Sequence, residues 1–198
     1  MKNTDISKIR KAMEKVQDGK RYEHTLGVAY TAASLAMKYG VDLNSTMIAG
    51  YLHDCAKHLS DEKKLHLCEK YKIAVTETEA RNPSLLHAKV GGFLAMDTYK
   101  ITDKDIINAI LNHTTGRPEM SDLEKIVFIA DYIEPGRKNA PNLAEVRKMA
   151  FIDLNQTMLM ILGDTLEYLK GSSMVIDDKT QKTYDYYAWL CKGENINE

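Results

Sequence analysis

An all-α fold is expected for this 198-residue chain, on three observations. Apolar residues recur three and four apart almost throughout, the spacing that lines one face of a helix. Extended segments are hinted at only by Ile73 to Val75 and Met174 to Ile176, too short to build a sheet that carries a core. The segment boundaries are also marked by helix-capping residues.

The elements follow in order. Ile6, Ile9, Met13 and Val16 form the apolar stripe of a first helix. Ser60, followed by Asp61 and Glu62, opens a helix running towards Tyr71. Ile106, Ile110 and His113 share another helical stripe, and Ser121 with Glu124 makes a capping box ahead of LEKIVFIADYI. Pro135-Gly136 stops that helix, and the residues from Asn139 to Asn142 form a turn. Asn142 with Glu145 marks the next start, and a helix from about Asp153 closes at Gly171, expected as a left-handed cap. The tail from Asp177 onward carries Tyr184, Tyr186, Tyr187 and Trp189, an aromatic cluster suited to docking a last helix. Eight to ten helices are expected. With no internal repeat, low-complexity tract or long linker, residues 1–198 read as a single domain.

Composition excludes several classes of function. The 27 Lys and Arg against 28 Asp and Glu leave a net charge of -1, so no basic field would attract a nucleic-acid polymer. No apolar run reaches the roughly 18 residues of a membrane span, and the N-terminus has no signal segment, so a soluble, cytoplasmic protein is expected. Cys55, Cys68 and Cys191 lack the spacing of a disulfide framework or a thiolate zinc site. Any metal must be held by His and carboxylate.

Six such side chains fall on apolar helical faces. His24 shares a side with Gly27 and Val28, and His53 and Asp54 follow Ala49 and Gly50. His87 lies on the stripe of Gly91 and Leu94, His113 on that of Ala109 and Ile110, and Asp131 follows Val127 and Phe128. Buried carboxylates and imidazoles without enough inward-facing Arg or Lys to pair them are costly, and a shared cation site relieves that cost. Gly27, Gly50, Gly91 and Gly116 each lie three or four residues from a candidate His, where a missing side chain lets helices approach closely. His58 and His66, in the charged KHLSDEKKLHLCEK, read as surface residues.

His24, His53-Asp54, His87, His113 and Asp131, in that order, resemble the H…HD…H…H…D signature of the HD-domain metal-dependent phosphohydrolases. YLHDCAKHL, LLHAKVGG, NHTTGRPEMSDLEKIVFIADYIEPGR and YDYYAW resemble one branch of them, the bacterial YqeK-type symmetrical diadenosine tetraphosphate hydrolases, from about Arg21 to Trp189. The departure is VIDDKTQKTYDYY, where that family often carries a His-Pro pair. With neither a second His after His113 nor a GYP triplet, the chain fits the cyclic-dinucleotide phosphodiesterases poorly.

The resemblance implies an HD-type helical bundle with a central dimetal site, usually iron, that cleaves diadenosine tetraphosphate into two ADP. The metal-binding core would span about 20–135, and C-terminal helices over 142–192 would complete the bundle. His24, His53, Asp54 and Asp131 would hold one metal, and Asp54 would bridge to a second held by His87 and His113. A carboxylate suits the bridge because it has two oxygens, and mixed nitrogen and oxygen donors suit iron, manganese or zinc better than magnesium. Metal-bound hydroxide would attack a bridging phosphoanhydride. Lys57 lies three residues after Asp54 and is expected to assist catalysis as a phosphate contact. Arg117 and Arg137 follow glycines near His113 and Asp131 and could fold over the polyphosphate, with Thr114 and Thr115 adding hydroxyl donors. The expected partner is therefore a small dinucleotide or nucleotide, with neither a nucleic-acid polymer nor a membrane, and a homodimer is left open. Two readings stay open beside it: a phosphohydrolase of mononucleotides, and a non-catalytic nucleotide sensor with a structural metal.

Overall fold

Short polar residues set the helix starts. Asp18, Asp42, Ser60, Thr76, Asp103, Ser121 and Asp153 each accept a hydrogen bond from a backbone N–H in the first turn that follows, satisfying donors the helix leaves free. Thr76 and Ser121 are full capping boxes, closed by Glu79 and Glu124.

A computed structural model describes residues 5–171 and 177–194. Among the described residues are eleven α-helices, one 3-10 turn and no strand. They are α1 (Ile6–Val16), α2 (Gly19–Tyr39), α3 (Leu43–Leu52), α4 (Asp61–Tyr71), α5 (Glu77–Arg81), the 3-10 turn Pro83–Leu85, α6 (Leu86–Asp97), α7 (Lys104–Asn112), α8 (Asp122–Ile133), α9 (Leu143–Met149), α10 (Leu154–Lys170) and α11 (Asp178–Glu194). The count exceeds the eight to ten expected because α5, with five residues, is too short to leave a periodic stripe. Ile73 to Val75 lies in a loop, and Met174 to Ile176 falls outside the described residues.

Two end signals read differently in three dimensions. Asn142 precedes α9 but makes no cap; its backbone is left-handed (φ 48°), and its Nδ2 donates to Asp164 of α10 at 2.9 Å. Gly171 closes α10 in a right-handed conformation (φ −79°), not the left-handed one expected.

The core has two main bodies that share α2 and α8. On one side Val28, Ala32 and Leu35 of α2 and Ile126, Ile129 and Ile133 of α8 pack with Met158, Ile161 and Leu162 of α10 and Tyr187 of α11. On the other, Ala29 of α2 and Leu123 and Val127 of α8 meet Met13 of α1, Ile48 and Leu52 of α3, and Ile106 and Ile110 of α7. The 3.6-residue period thus gives α2 and α8 two apolar faces each, which makes them the central helices. In α11, Tyr187 is buried and Tyr184 and Tyr186 pack at its side, whereas Trp189 is 68% exposed and takes no part in the docking.

A close helix approach brings α3 against α2 at a glycine. A Cβ on Gly50 would stand 2.8 Å from Ala29 Cα, so the two backbones meet at a distance only glycine permits. One turn further, α3 ends in His53.

Candidate metal centre

The six candidate ligands gather at one end of the bundle, most of them at helix termini. His53 ends α3 and Asp54 follows it, His113 ends α7, His87 sits in the first turn of α6, Asp131 in the last turn of α8, and His24 in the second turn of α2. Three helix C-termini, those of α3, α7 and α8, converge there, and their carbonyl ends favour positive charge.

The geometry falls into two groups. His24, His53 and Asp131 place one ligand atom each within 4.8 Å of one another, and so do Asp54, His87 and His113. The Asp54 carboxylate lies between them. Its Oδ1 is 3.3 Å from His87 Nε2 and 3.5 Å from His113 Nε2, while its Oδ2 is 3.6 Å from His53 Nε2 and 4.0 Å from His24 Nε2.

Hydrogen bonds behind the rings decide which nitrogen faces inward. His53 Nδ1 lies 2.7 Å from the Gly50 carbonyl, His113 Nδ1 2.7 Å from that of Ile110, and His87 Nδ1 2.6 Å from that of Ser84. A carbonyl only accepts, so each Nδ1 donates and each Nε2 points into the centre. For His53 and His113 the acceptor is a last-turn carbonyl three residues back, a group the helix leaves without an internal partner. His24 does the same with a side chain, its Nδ1 lying 3.1 Å from Glu134 Oε1.

The centre is consequently rich in acceptors. His53 Nε2 is buried and lacks a hydrogen-bond partner, His24 Nε2 stands 3.1 Å from Asp131 Oδ1, and His87 Nε2 and His113 Nε2 stand 3.1 Å apart. Burial pushes the His53 imidazolium down to about 4 against the pull of Asp54 and Asp131, and pushes His87 down to about 3, helped by His113 and Lys57. Both rings are neutral at physiological pH. Burial alone would raise the carboxyl of Asp54, but the surrounding His53, His113 and His87 hold it well below the usual range. His24 and His113 are shifted up instead, since the neighbouring carboxylates (Asp131 and Glu134 for His24, Asp54 and Asp131 for His113) outweigh their burial. Nitrogen lone pairs facing carboxylates in a buried pocket need an extra proton or a cation between them. Neutral imidazole and carboxylate donors in two groups fit a pair of divalent metal ions.

Two features differ from expectation. Arginines do reach the buried Asp54 and the half-buried Asp131: Arg21 Nη1 donates to Asp54 Oδ2 at 2.7 Å, and Arg137 Nη2 to Asp131 Oδ1 at 2.7 Å. Arg117, in contrast, turns away. Its guanidinium holds the fully buried Glu124 through Nε and Nη2 and the Pro118 carbonyl through Nη1, so it braces the turn after α7 and does not cover the centre. Thr115 donates to the Gly116 carbonyl and likewise does not line the cavity over the centre.

That cavity holds about 170 Å³ and is walled by Arg21, Asp54, Lys57, His87, His113, Thr114, Asp131 and Arg137. Lys57 Nζ lies 3.4 Å from His87 Nδ1, and Thr114 Oγ1 is within 3.3 Å of the Nε2 atoms of His87 and His113. Two larger hollows flank it. One of about 860 Å³ runs along the start of α2 past Arg21, His24 and Tyr30, and one of about 750 Å³ lies among Thr114, Phe128, Tyr132 and Tyr168. Lys20, Gly136 and Arg137 border both.

Arg21 and Glu134 were not singled out from sequence, although each carries a usable signal. Arg21 is three residues before His24 and Glu134 three residues after Asp131, the spacing that shares a helical face.

Similarity to known proteins agrees with this geometry. The HD domain family matches residues 21–136. The chain is 39% identical to the symmetrical bis(5'-nucleosyl)-tetraphosphatase of Bacillus subtilis over 173 residues, covering 87% of this chain and 90% of the relative. It is 36% identical to the protein of the same name from Staphylococcus aureus, covering 93% and 95%. A crystal structure from Clostridium acetobutylicum, described as an HD superfamily hydrolase involved in NAD metabolism, superposes with a TM-score of 0.90 at 40% identity, covering 94% of this chain and 98% of that one. The chain belongs to the HD-domain superfamily and, within it, to the family of symmetrical bis(5'-nucleosyl)-tetraphosphatases.

Proposed function

We propose that the protein hydrolyses diadenosine tetraphosphate symmetrically, adding water across the central phosphoanhydride and releasing two ADP. His24, His53, Asp54 and Asp131 would hold one metal, and Asp54, His87 and His113 the other. The observation that carries this reading is the Asp54 carboxylate, whose two oxygens face two separate histidine groups at 3.3–4.0 Å. Iron is the proposed metal, with manganese and zinc sharing its taste for mixed nitrogen and oxygen donors.

Two divalent ions held there would supply positive charge for phosphate oxygens and make a water molecule acidic enough to attack near neutral pH. The chain does the rest by positioning. Lys57, Arg21, Arg137 and Thr114 surround the small cavity with donors, suited to gripping phosphate oxygens and to stabilising negative charge gathering on the leaving diphosphate. The carboxylates Asp54 and Asp131 keep Arg21 and Arg137 aimed at the cavity mouth. In this reading Arg117 and Thr115 have no phosphate role.

A dinucleotide is favoured over a mononucleotide by the two flanking hollows, each within the usual size range of small-molecule pockets and meeting the other at Lys20, Gly136 and Arg137. A structural metal is disfavoured because structural sites are closed, whereas this one opens on a cavity lined by Arg21, Lys57 and Arg137. We also read residues 1–198 as one domain, with α10 and α11 closing the bundle over α8, and place it in the cytoplasm, in keeping with the free, buried thiols of Cys55 and Cys68. No described helix is long and apolar enough to cross a membrane.

The test is chromatography of products from metal-loaded protein given diadenosine tetraphosphate, ATP, ADP or a cyclic dinucleotide. ADP as sole product from the first is expected. AMP plus ATP would refute the symmetrical cut, turnover of ATP or ADP alone would favour the mononucleotide reading, and tight binding without turnover the sensor.

A further inference from the structure

Among the four inward-facing histidines, only His24 is held from behind by a carboxylate. His53, His87 and His113 donate to backbone carbonyls, whereas His24 donates to the carboxylate of Glu134. Glu134 is 4% exposed, and no Lys or Arg pairs with its side chain among the described residues. Its contacts are His24 Nδ1 on Oε1 and the Gly136 N–H on Oε2. A buried carboxylate so sparsely compensated is costly unless it performs a task.

The surroundings are shaped to admit it. A Cβ on Gly27 would stand 2.6 Å from Glu134 Oε2, and one on Gly136 2.9 Å from the same atom, so two glycines from distant parts of the chain open the socket. The backbone of Glu134 is pinned as well. Its N–H donates to Ala130, and its carbonyl accepts from Arg137 N–H and from Arg147 Nη2 of α9, which also ties down the carbonyl of Arg137.

We propose that Glu134 is a positioning residue for the first metal site: its carboxylate fixes the His24 ring with Nε2 inward and, being charged, makes that nitrogen a stronger donor than a carbonyl-backed imidazole. Carboxylates placed behind ligating histidines act in this way, and losing one costs typically ~10–100-fold in metal affinity. The effect falls on one site only, because Glu134 touches His24 and none of Asp54, His87 or His113. The inference rests on reading the centre as two metal sites.

The experiment is calorimetric titration of metal-free protein with Mn²⁺ alone, wild type against Glu134→Gln and Gly27→Ala. Glutamine keeps the size and an acceptor oxygen but removes the charge, while Gly27→Ala leaves Glu134 in place and displaces its carboxylate. The expected result is two Mn²⁺ per wild-type chain and, in both variants, one site weakened roughly 10–100-fold with the other within about threefold of wild type. Wild-type affinity at both sites in Glu134→Gln, or equal weakening of both, would overturn the assignment. If Glu134→Gln fails to fold, Gly27→Ala decides on the same criterion. A wild type that binds fewer than two Mn²⁺ would instead overturn the dimetal reading.

Discussion

Gly50→Ala tests whether the fold and the metal centre are coupled through one backbone contact. The added Cβ would stand 2.8 Å from Ala29 Cα and 3.4 Å from both Ala29 Cβ and N. The first distance falls roughly 0.7–1.2 Å short of the optimum for two carbon atoms, and the obstructing atom is main chain, which cannot rotate away. The helices α2 and α3 must therefore separate. Overpacking of this kind costs about 1–3 kcal/mol, against a helix-propensity gain of up to ~1 kcal/mol for replacing glycine. A net loss of about 1–2 kcal/mol corresponds to roughly 2–8 °C in Tm for a chain of this size. The same separation moves His24 on α2 away from His53 at the end of α3, whose ring centroids now stand 5.4 Å apart. Ligand sets tolerate roughly 0.5 Å of misplacement, so Mn²⁺ affinity at the His24, His53 and Asp131 group should fall by about tenfold or more. The measurements are thermal unfolding in chelator and Mn²⁺ titration, with Gly19→Ala as control, since a Cβ there meets nothing within 4 Å. A Gly50→Ala protein as stable as that control, with unchanged metal binding, would refute the coupling.

Asp54→Ala should drive bound metal from two ions per chain towards none by elemental analysis, while Asp131→Ala loses mainly one; retention of both metals by Asp54→Ala would refute the bridge. Arg117→Ala strips the buried Glu124 of its two charged hydrogen bonds and should lower stability by about 1–3 kcal/mol, read as Tm, while leaving KM for diadenosine tetraphosphate unchanged; a raised KM at wild-type stability would return it to the phosphate site. Metal binding should release protons near neutral pH. His24 and His113 have raised pKa values and so stay protonated to higher pH than a free imidazole, yet must lose that proton to coordinate, so affinity falls as pH drops through those values. His53 and His87, at about 4 and 3, release none. Calorimetry in buffers of different ionisation enthalpy reads this directly, and buffer-independent heats at pH 6.5 would contradict it.

The helical class is legible in the residue order alone, because burial on a helix leaves a 3.6-residue stripe and starts such as Ser60 and Ser121 act through neighbours three residues away. It also made the six metal-capable side chains legible, since a His or Asp on an apolar face is anomalous wherever the rest of the chain goes. Side chains whose partners lie far along the chain were not legible. Arg117 and Arg137 both follow a glycine after a candidate ligand, yet one is captured by Glu124 and the other reaches Asp131. Arg21 and Glu134 read as ordinary charged residues until α2, α3 and α8 are brought together, setting Arg21 on Asp54 and Glu134 behind His24. Periodicity settles which face of its own helix a residue occupies, but which residue faces it is decided by packing between helices. A long cationic or anionic side chain has reach enough to choose among several partners, and only the assembled bundle restricts that choice to one.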